Sequence, residues 1–282
     1  MGYVYYLDGE FVAAAEARVP VNDLALLRGF GCFDFMRTYG GKVIFLRDHV
    51  RRLLRSAGRL GIELPLDEAE LMGLVEETLR RNPPGEASVR ILVTGGPSPD
   101  FITPQGTPRL MILVAPLASY PASWYEEGVA VITVPYERAI PEAKTIDYAR
   151  AVLALAEARR KGAIEALYVD SRNRVREGTT SNVFCFLGEH LVTPGEGLLE
   201  GITRGKVLAL AAKHHPVEIR DLARREIAAA EEMFLTSSNR LIVPVVRVDE
   251  DRIGRGKPGP RTRALMEAFA AYTRSLAAGE TP

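Results

Sequence analysis

The chain has 282 residues and a mass of 30.9 kDa, with 47% hydrophobic and 26% charged residues, an ordinary globular composition that excludes disorder and collagen-like repeats. Its 36 basic and 36 acidic residues cancel and the isoelectric point lies near 6.9, so no overall field draws it to nucleic acid or anionic lipid. No apolar run reaches the roughly 18 residues of a membrane span, and the start Met1-Gly2-Tyr3 lacks the basic-then-apolar pattern of a signal peptide, so a cytoplasmic location with no membrane and no nucleic-acid partner is expected.

In chain order, two apolar runs over 4–12 are joined by Asp8-Gly9, which supplies the positive φ angles of a tight hairpin. Residues 32–39 and 42–46 flank Gly40-Gly41 and read as a second hairpin. Asp48 is then expected to cap a helix through about Leu60, with Val50, Leu53, Leu54 and Ala57 on one face, and Asp67 to cap another running to Arg80. Strands follow at 89–94 and 110–115, separated by a Gly/Pro-rich loop over 95–108 that is long enough to be functional.

The stretch 117–123 has neither helical nor strand periodicity and contains Pro121, so it is read as a linker between a small domain over 1–116 and a larger one over 124–282. The second domain is expected to hold strands at 129–134, 166–169, 183–186, 233–236 and 241–246, and helices at about 148–161, 203–212 and 261–276. The fold class is therefore α+β with two domains. Cys32 and Cys185 are too few for a disulfide framework and are taken as buried packing residues. The four histidines include no pair at metal-ligand spacing beside a carboxylate, so no metal is expected, and the adjacent His214 and His215 suit a helix end.

Only six of the 36 basic residues are lysine, which makes Lys144 conspicuous: it sits in Pro141-Glu142-Ala143-Lys144-Thr145-Ile146-Asp147-Tyr148, after a strand and just before a helix. That placement suits a Schiff-base lysine, whose amine must lose its proton to attack an aldehyde. A plain surface lysine is the alternative. Just over 30 positions on comes Glu177-Gly178-Thr179-Thr180-Ser181-Asn182, leading into an apolar strand. A carboxylate there could face the ring nitrogen of pyridoxal phosphate and keep it protonated, so that the ring draws electrons from a substrate carbanion; a turn capped by Thr and Asn is the alternative. Gly201-Ile202-Thr203-Arg204 reads as a loop entering a helix, where unpaired N–H groups bind phosphate, and Thr236-Ser237-Ser238-Asn239-Arg240 could complete a phosphate cup. An N-cap at Thr203 and ordinary turn chemistry at 236–240 are the bland readings.

These four segments, in this order, resemble the fold-type IV pyridoxal-phosphate enzymes: branched-chain and D-amino-acid aminotransferases, (R)-amine transaminases and aminodeoxychorismate lyase. The likeness extends to Arg28-Gly29-Phe30-Gly31-Cys32-Phe33-Asp34 and to His49-Val50-Arg51-Arg52-Leu53 and covers nearly the whole chain. It implies a small α/β N-terminal domain, a larger mixed, barrel-like C-terminal domain and pyridoxal 5'-phosphate as cofactor. By the same likeness Lys144 carries the cofactor as a Schiff base, Glu177 pairs with the pyridine nitrogen and Tyr148 lies near the ring hydroxyl. Arg52, Ile202, Thr203 and Ser238 hold the phosphate, and Ser181, Asn182, Gly201, Ser237 and Asn239 complete the cofactor site. It implies a homodimer too, with Arg28 acting across the interface.

The chain departs from two patterns within that family. Leu26, Asp100 and Ile102 stand where well-known D-amino-acid enzymes carry a tyrosine and an Arg-x-His pair, while Arg28, Phe35 and Arg240 stand where branched-chain enzymes carry tyrosine, glycine and small residues. Arg28 and Arg240 are therefore read as an alternative clamp for the substrate carboxylate, with Phe33, Phe35 and Met36 shaping the side-chain pocket. The segment 177–184 is closer to the D-amino-acid enzymes, so the expected activity is transfer of an amino group from a D-amino acid to a 2-oxo acid. A branched-chain L-amino-acid transaminase with (R)-amine activity is the runner-up; an aminodeoxychorismate lyase and a non-enzymatic binding protein on the same scaffold are further alternatives.

Overall fold

Asp8 and Gly9 take φ of 47° and 106°, and the turn they form joins β1 (Val4–Leu7) to β2 (Glu10–Ala13) in the expected hairpin. A computed structural model describes residues 2–280; residues 1, 281 and 282, the outer limits of the two sequence-defined domains, lie outside it. Two units emerge: residues 2–118 with 142–148 and 276–280, and residues 119–141 with 149–275. The first division falls inside the stretch read as a linker, and the short segment 142–148 packs with the first unit.

In the first unit, α1 (Leu24–Arg28) is capped by the Asp23 carboxylate, which accepts from the Ala25 N–H at 2.8 Å. Then come β3 (Gly31–Arg37), α2 (Leu46–Arg59), α3 (Glu68–Arg80), β4 (Ala87–Thr94) and β5 (Arg109–Pro116). The sheet is antiparallel throughout, in the order β2-β1-β5-β4-β3. The apolar stripes of the two helices, Val50, Leu53 and Ala57 with Leu71 and Val75, bury against Met36, Val89, Ile91, Ile112 and Val114 of the sheet. Asp67 caps α3 in a full capping box with Glu70.

Three local expectations are corrected. Asp48 lies in the first turn of α2 rather than capping it, because the helix already starts at Leu46 with Phe45 as N-cap. The hairpin across Gly40-Gly41 reduces to one bridge between Tyr39 and Lys42, since β3 pairs along its whole length with β4. Met36 also turns away from the proposed pocket: the alternation of β3 buries Cys32, Asp34 and Met36 and leaves Phe33 and Phe35 on the other, half-buried face.

The second unit holds α4 (Ser123–Glu126), β6 (Val129–Pro135), α5 (Ala149–Arg160), β7 (Glu165–Val169), β8 (Arg174–Gly178), β9 (Asn182–Leu187), β10 (His190–Thr193), α6 (Ile202–Ala211), β11 (Val217–Ile219), β12 (Leu222–Ala223), β13 (Glu232–Ser237), β14 (Leu241–Val248), β15 (Asp251–Arg252) and α7 (Pro260–Ala278), whose last turn packs with the first unit. Its mixed sheet runs β11-β10-β9-β13-β14-β6-β7-β8-β12, with β15 on β14. Strand spacing shows how this sheet is shaped. β8 and β9 stand five places apart in the order, about 24 Å if the sheet were flat. Only Thr179, Thr180 and Ser181 join them, a connection that spans at most about 14 Å even when fully extended. The six strands from β9 to β8 must therefore curl until their ends meet, which is the barrel-like form the family resemblance implied. Val131, Leu167, Val175, Val183, Leu235 and Val243 belong to one buried cluster of this unit, and Ile132, Val134 and Tyr168 pack with Ala154 and Ala158 of α5 in another.

Gly31 marks a tight backbone approach between β3 and β4, for a Cβ there would lie 2.5 Å from the Val93 carbonyl oxygen and 3.1 Å from Ile146. Gly31→Ala should cost ~1–3 kcal/mol by overpacking and lower the unfolding midpoint in urea. An unchanged midpoint would mean that β4 yields to the methyl without loss.

Candidate active site

The predicted residues fall into two groups, one in each unit. In the first, the segment 142–148 runs along β3 as a short extra edge: Phe33 N donates to Lys144 O at 2.9 Å, Ile146 N donates to Gly31 O at 3.0 Å, and Thr145 bridges Cys32. The Lys144 N–H is taken by Ser56 Oγ at 3.1 Å, so both main-chain groups of the lysine are fixed. Its Nζ lies 4.7 Å from the centroid of the Phe33 ring, and that ring meets Tyr148 edge-to-face at 5.5 Å. Phe33 and Phe35 also share Arg90, whose guanidinium lies 5.6 and 5.7 Å from their centroids.

Arg52 is buried and grips Asp34 in a two-point pair, Nε to Oδ2 and Nη2 to Oδ1, both at 2.8 Å. His49 Nδ1 approaches the same Oδ1 at 2.7 Å. Burial by itself would raise the Asp34 carboxyl, but Arg52 and His49 hold it well below the usual carboxylate range. Burial likewise pulls the His49 imidazole down against the opposing pull of Asp34. The motif His-x-x-Arg-Leu therefore builds a charged cluster on one helix face, with Asp34 supplied by β3. Arg28, at the end of α1, is exposed and donates to the Leu27 carbonyl at 2.9 Å. Leu26 is 65% exposed, and Asp100 is committed to its own loop, accepting from the N–H groups of Ile102 and Thr103 and the hydroxyls of Ser98 and Thr103.

In the second unit Glu177 is buried at the end of β8, where its Oε2 accepts from the Leu199 N–H at 3.1 Å and its Oε1 meets Arg138 Nη1 at 3.0 Å. Arg138, which also donates to the Pro141 carbonyl at 2.9 Å, is a candidate that the sequence reading missed, since nothing local links it to a residue 39 positions on. Asn182 donates through Nδ2 to the Leu199 carbonyl at 2.8 Å, and a Cβ on Gly201 would collide with the Asn182 Oδ1. Gly201 is the N-cap of α6 in extended backbone and no side chain caps the helix, so Thr203 lies inside the first turn instead of capping it. The N–H groups at Ile202 and Thr203 open a helix that no side chain caps among the described residues, a place that suits an anion.

The turn between β13 and β14 is held by its own polar groups. Ser237 Oγ meets Asn239 Oδ1 at 2.8 Å, Asn239 Nδ2 donates to the Tyr120 hydroxyl at 2.8 Å, and Leu241 takes a φ of 60°. Ser238 sits at the tip, partly buried. Just before it, Thr236 Oγ1 is buried and has no hydrogen-bond partner among the described residues. An unpartnered hydroxyl, an uncapped helix start and a buried carboxylate are what a phosphorylated, nitrogen-containing ring would satisfy, so the residues present fit pyridoxal phosphate.

Glu165, at the start of β7, is the second omission. It is wholly buried and accepts from the hydroxyls of Thr179, Thr180 at 2.8 Å and Ser181 at 3.2 Å, and from Arg240 Nη2 at 2.5 Å. A charged residue inside Ile164-Glu165-Ala166-Leu167-Tyr168-Val169 was the signal available for it. Cys32 and Cys185 are buried as expected, and burial pushes both thiols up to about 12, which makes them inert.

Comparison with known proteins agrees with this chemistry. The family described as amino-transferase class IV matches residues 31–248. A putative branched-chain-amino-acid aminotransferase of Methanocaldococcus jannaschii is 35% identical over 94% of both chains. A D-alanine aminotransferase of Staphylococcus aureus is 30% identical over 96% of this chain and 98% of its own. Among solved structures, an Escherichia coli branched-chain amino acid aminotransferase superposes with a TM-score of 0.92 at 28% identity, covering 100% of this chain and 97% of the other. The chain belongs to the class IV aminotransferases, pyridoxal-phosphate enzymes that exchange amino groups between amino acids and 2-oxo acids.

Proposed function

We propose that the protein is a D-amino-acid transaminase that passes the donor's amino group to a 2-oxo acid in two half-reactions, a ping-pong cycle. The observation that carries this reading is the Glu177–Asn182 turn, Glu-Gly-Thr-Thr-Ser-Asn, which resembles the D-amino-acid enzymes more than the branched-chain ones and whose hydroxyls turn onto Glu165 with Arg240 beside them. A branched-chain L-amino-acid activity is the second reading, favoured by the 35% identity to the Methanocaldococcus jannaschii relative.

The bound cofactor supplies an electron sink for the carbanion at the substrate's Cα. Lys144 would hold the cofactor, and its amine would carry the proton at the substrate's Cα. Glu177 offers the ring nitrogen a carboxylate already fixed by Arg138 and the Leu199 N–H. Tyr148 serves the ring hydroxyl. Arg52, the N–H groups of Ile202 and Thr203, and the turn Ser237, Ser238 and Asn239 hold the phosphate, with Ser181, Asn182 and Gly201 shaping the cradle. Arg28 and Arg240 take the substrate carboxylate, and Phe33 and Phe35 line the side-chain pocket. A homodimer belongs to the same reading, and Val21, Leu26 and Ile102 of the first unit, 79%, 65% and 66% exposed, are apolar side chains that its interface would cover.

The deciding measurement mixes the cofactor-loaded enzyme separately with D-alanine, D-glutamate, L-leucine and (R)-1-phenylethylamine and follows bleaching of its yellow colour. Bleaching by the D-amino acids alone is the expected result; bleaching by L-leucine alone moves the enzyme to the branched-chain reading. Arg28→Ala should raise KM for the 2-oxo acid at least tenfold, about 1.4 kcal/mol of lost binding, and a change under about threefold removes Arg28 from the clamp. Asp34→Asn should loosen the aim of Arg52 and weaken retention of pyridoxal phosphate about tenfold in equilibrium dialysis. Retention within twofold in a folded variant would show that Arg52 keeps its position without the carboxylate.

A further inference from the structure

Arg240 is 6% exposed, yet its guanidinium is satisfied on one side only. Nη2 donates to Glu165 Oε2 at 2.5 Å and to the Thr180 hydroxyl at 2.6 Å. Nε and Nη1, which carry three of the five N–H donors of any guanidinium, make no hydrogen bond among the described residues and keep slight access to solvent. The main chain around the arginine is fixed as well: its N–H reaches Ser237 Oγ at 3.4 Å, its carbonyl accepts from the Tyr125 hydroxyl at 3.2 Å, and Leu241 follows in the left-handed region.

The acceptor side is the reverse. The Glu165 carboxylate has donors on both oxygens, with Thr179 Oγ1 on Oε1 and Thr180 Oγ, Ser181 Oγ and Arg240 Nη2 on Oε2. Thr180 accepts from the arginine while donating to the glutamate, so one hydroxyl locks both groups. The result is a saturated carboxylate holding an unsaturated, nearly buried guanidinium in a single orientation.

We propose that Glu165 is a positioning residue for substrate recognition: with Thr180 it clamps Nη2 of Arg240, so that Nε and Nη1 present their donors to the carboxylate of the substrate. This rests on the transaminase reading above and gives it a residue that touches neither substrate nor cofactor. The cofactor's phosphate is an oxyanion too, and the experiment separates it from the substrate's carboxylate.

The holoenzyme is titrated calorimetrically with isovalerate, an unreactive monocarboxylate, and with inorganic phosphate, for the wild type and the Glu165→Gln, Thr180→Val and Arg240→Lys variants; KM and kcat for a 2-oxo acid are then measured on each. Coulomb's law alone says that neutralising a carboxylate beside Arg240 tightens the binding of an anion. The clamp says the opposite. Glu165→Gln and Arg240→Lys should bind isovalerate about tenfold more weakly and Thr180→Val about threefold, with KM rising in step and kcat within about threefold. Tighter isovalerate binding by Glu165→Gln overturns the proposal, as does binding within twofold in all variants or a response of phosphate alone. If Glu165→Gln does not fold, Thr180→Val, which strands no charge, and Arg240→Lys decide. Bleaching by amine donors reports on the transaminase reading independently: a protein that no donor bleaches but whose isovalerate binding follows Glu165 loses that reading and keeps the seat.

Discussion

A three-residue connection has to close a six-strand curl in the second unit, and the chemistry of that unit is arranged around the closure. Thr179, Thr180 and Ser181 cannot bridge β8 and β9 unless the strand ends are drawn together, and what draws them is polar: all three hydroxyls hang on the carboxylate of Glu165. The Gly178 N–H closes the same turn onto the Ser181 carbonyl at 2.7 Å, and a Cβ on Gly178 would strike Ser181 Oγ. Glu177 and Asn182 are the residues immediately flanking this seam. Their side chains are aimed by the closure, and both are tied to Leu199, one to its N–H and the other to its carbonyl.

The first unit solves a different problem with a different device. A lysine that must act chemically has a flexible four-carbon stem, so the main chain at its base has to be immobile. The segment 142–148 achieves this by pairing with β3 over only a few residues, which requires a glycine at position 31 because no side chain fits between Val93, Thr94 and Ile146. The same strand sends Asp34 inward to Arg52 and His49 and turns Phe33 outward to Lys144. A single period-2 alternation therefore organises both the charged cluster and the aromatic surface beside the lysine.

What could be read without coordinates was whatever depends on neighbours in sequence. The Asp8-Gly9 turn and the Asp67–Glu70 capping box are complete within four residues, and both formed as read. The Gly40-Gly41 hairpin failed because β3 found a better partner about 55 residues later in β4, a competition that no local rule weighs. Strands β8, β10, β11 and β12 escaped because they are two to five residues long and interrupted by charges such as Arg174 and Arg176, whose acidic partners Asp170 and Asp221 come from other elements. Lys144, Glu177 and the 201–203 turn were legible as a set, since their order and spacing carry the family likeness. Arg138 and Glu165 were not: each is defined by a partner 39 or 75 positions away.

Glu165 and Arg240 also bear on why a protein would bury opposite charges at all. Removing a carboxylate and a guanidinium from water costs several kcal/mol each, and a well-packed apolar pair of similar volume often serves stability as well or better. Stability is therefore a weak reason for this pair. Orientation is a stronger one, because an apolar substitute cannot fix where a guanidinium points. The asymmetry of the pair agrees with that: both oxygens of the acid accept hydrogen bonds, four in all from side chains, whereas most donors of the base find no partner among the described residues. A pair built only to cancel charge would saturate both members, and Arg174 and Arg176 show what that looks like in the same unit, each shared between Asp170 and Asp221. Arg240 is held by one acid and left open to another, and in an enzyme whose substrates are amino acids and 2-oxo acids every substrate arrives carrying a carboxylate.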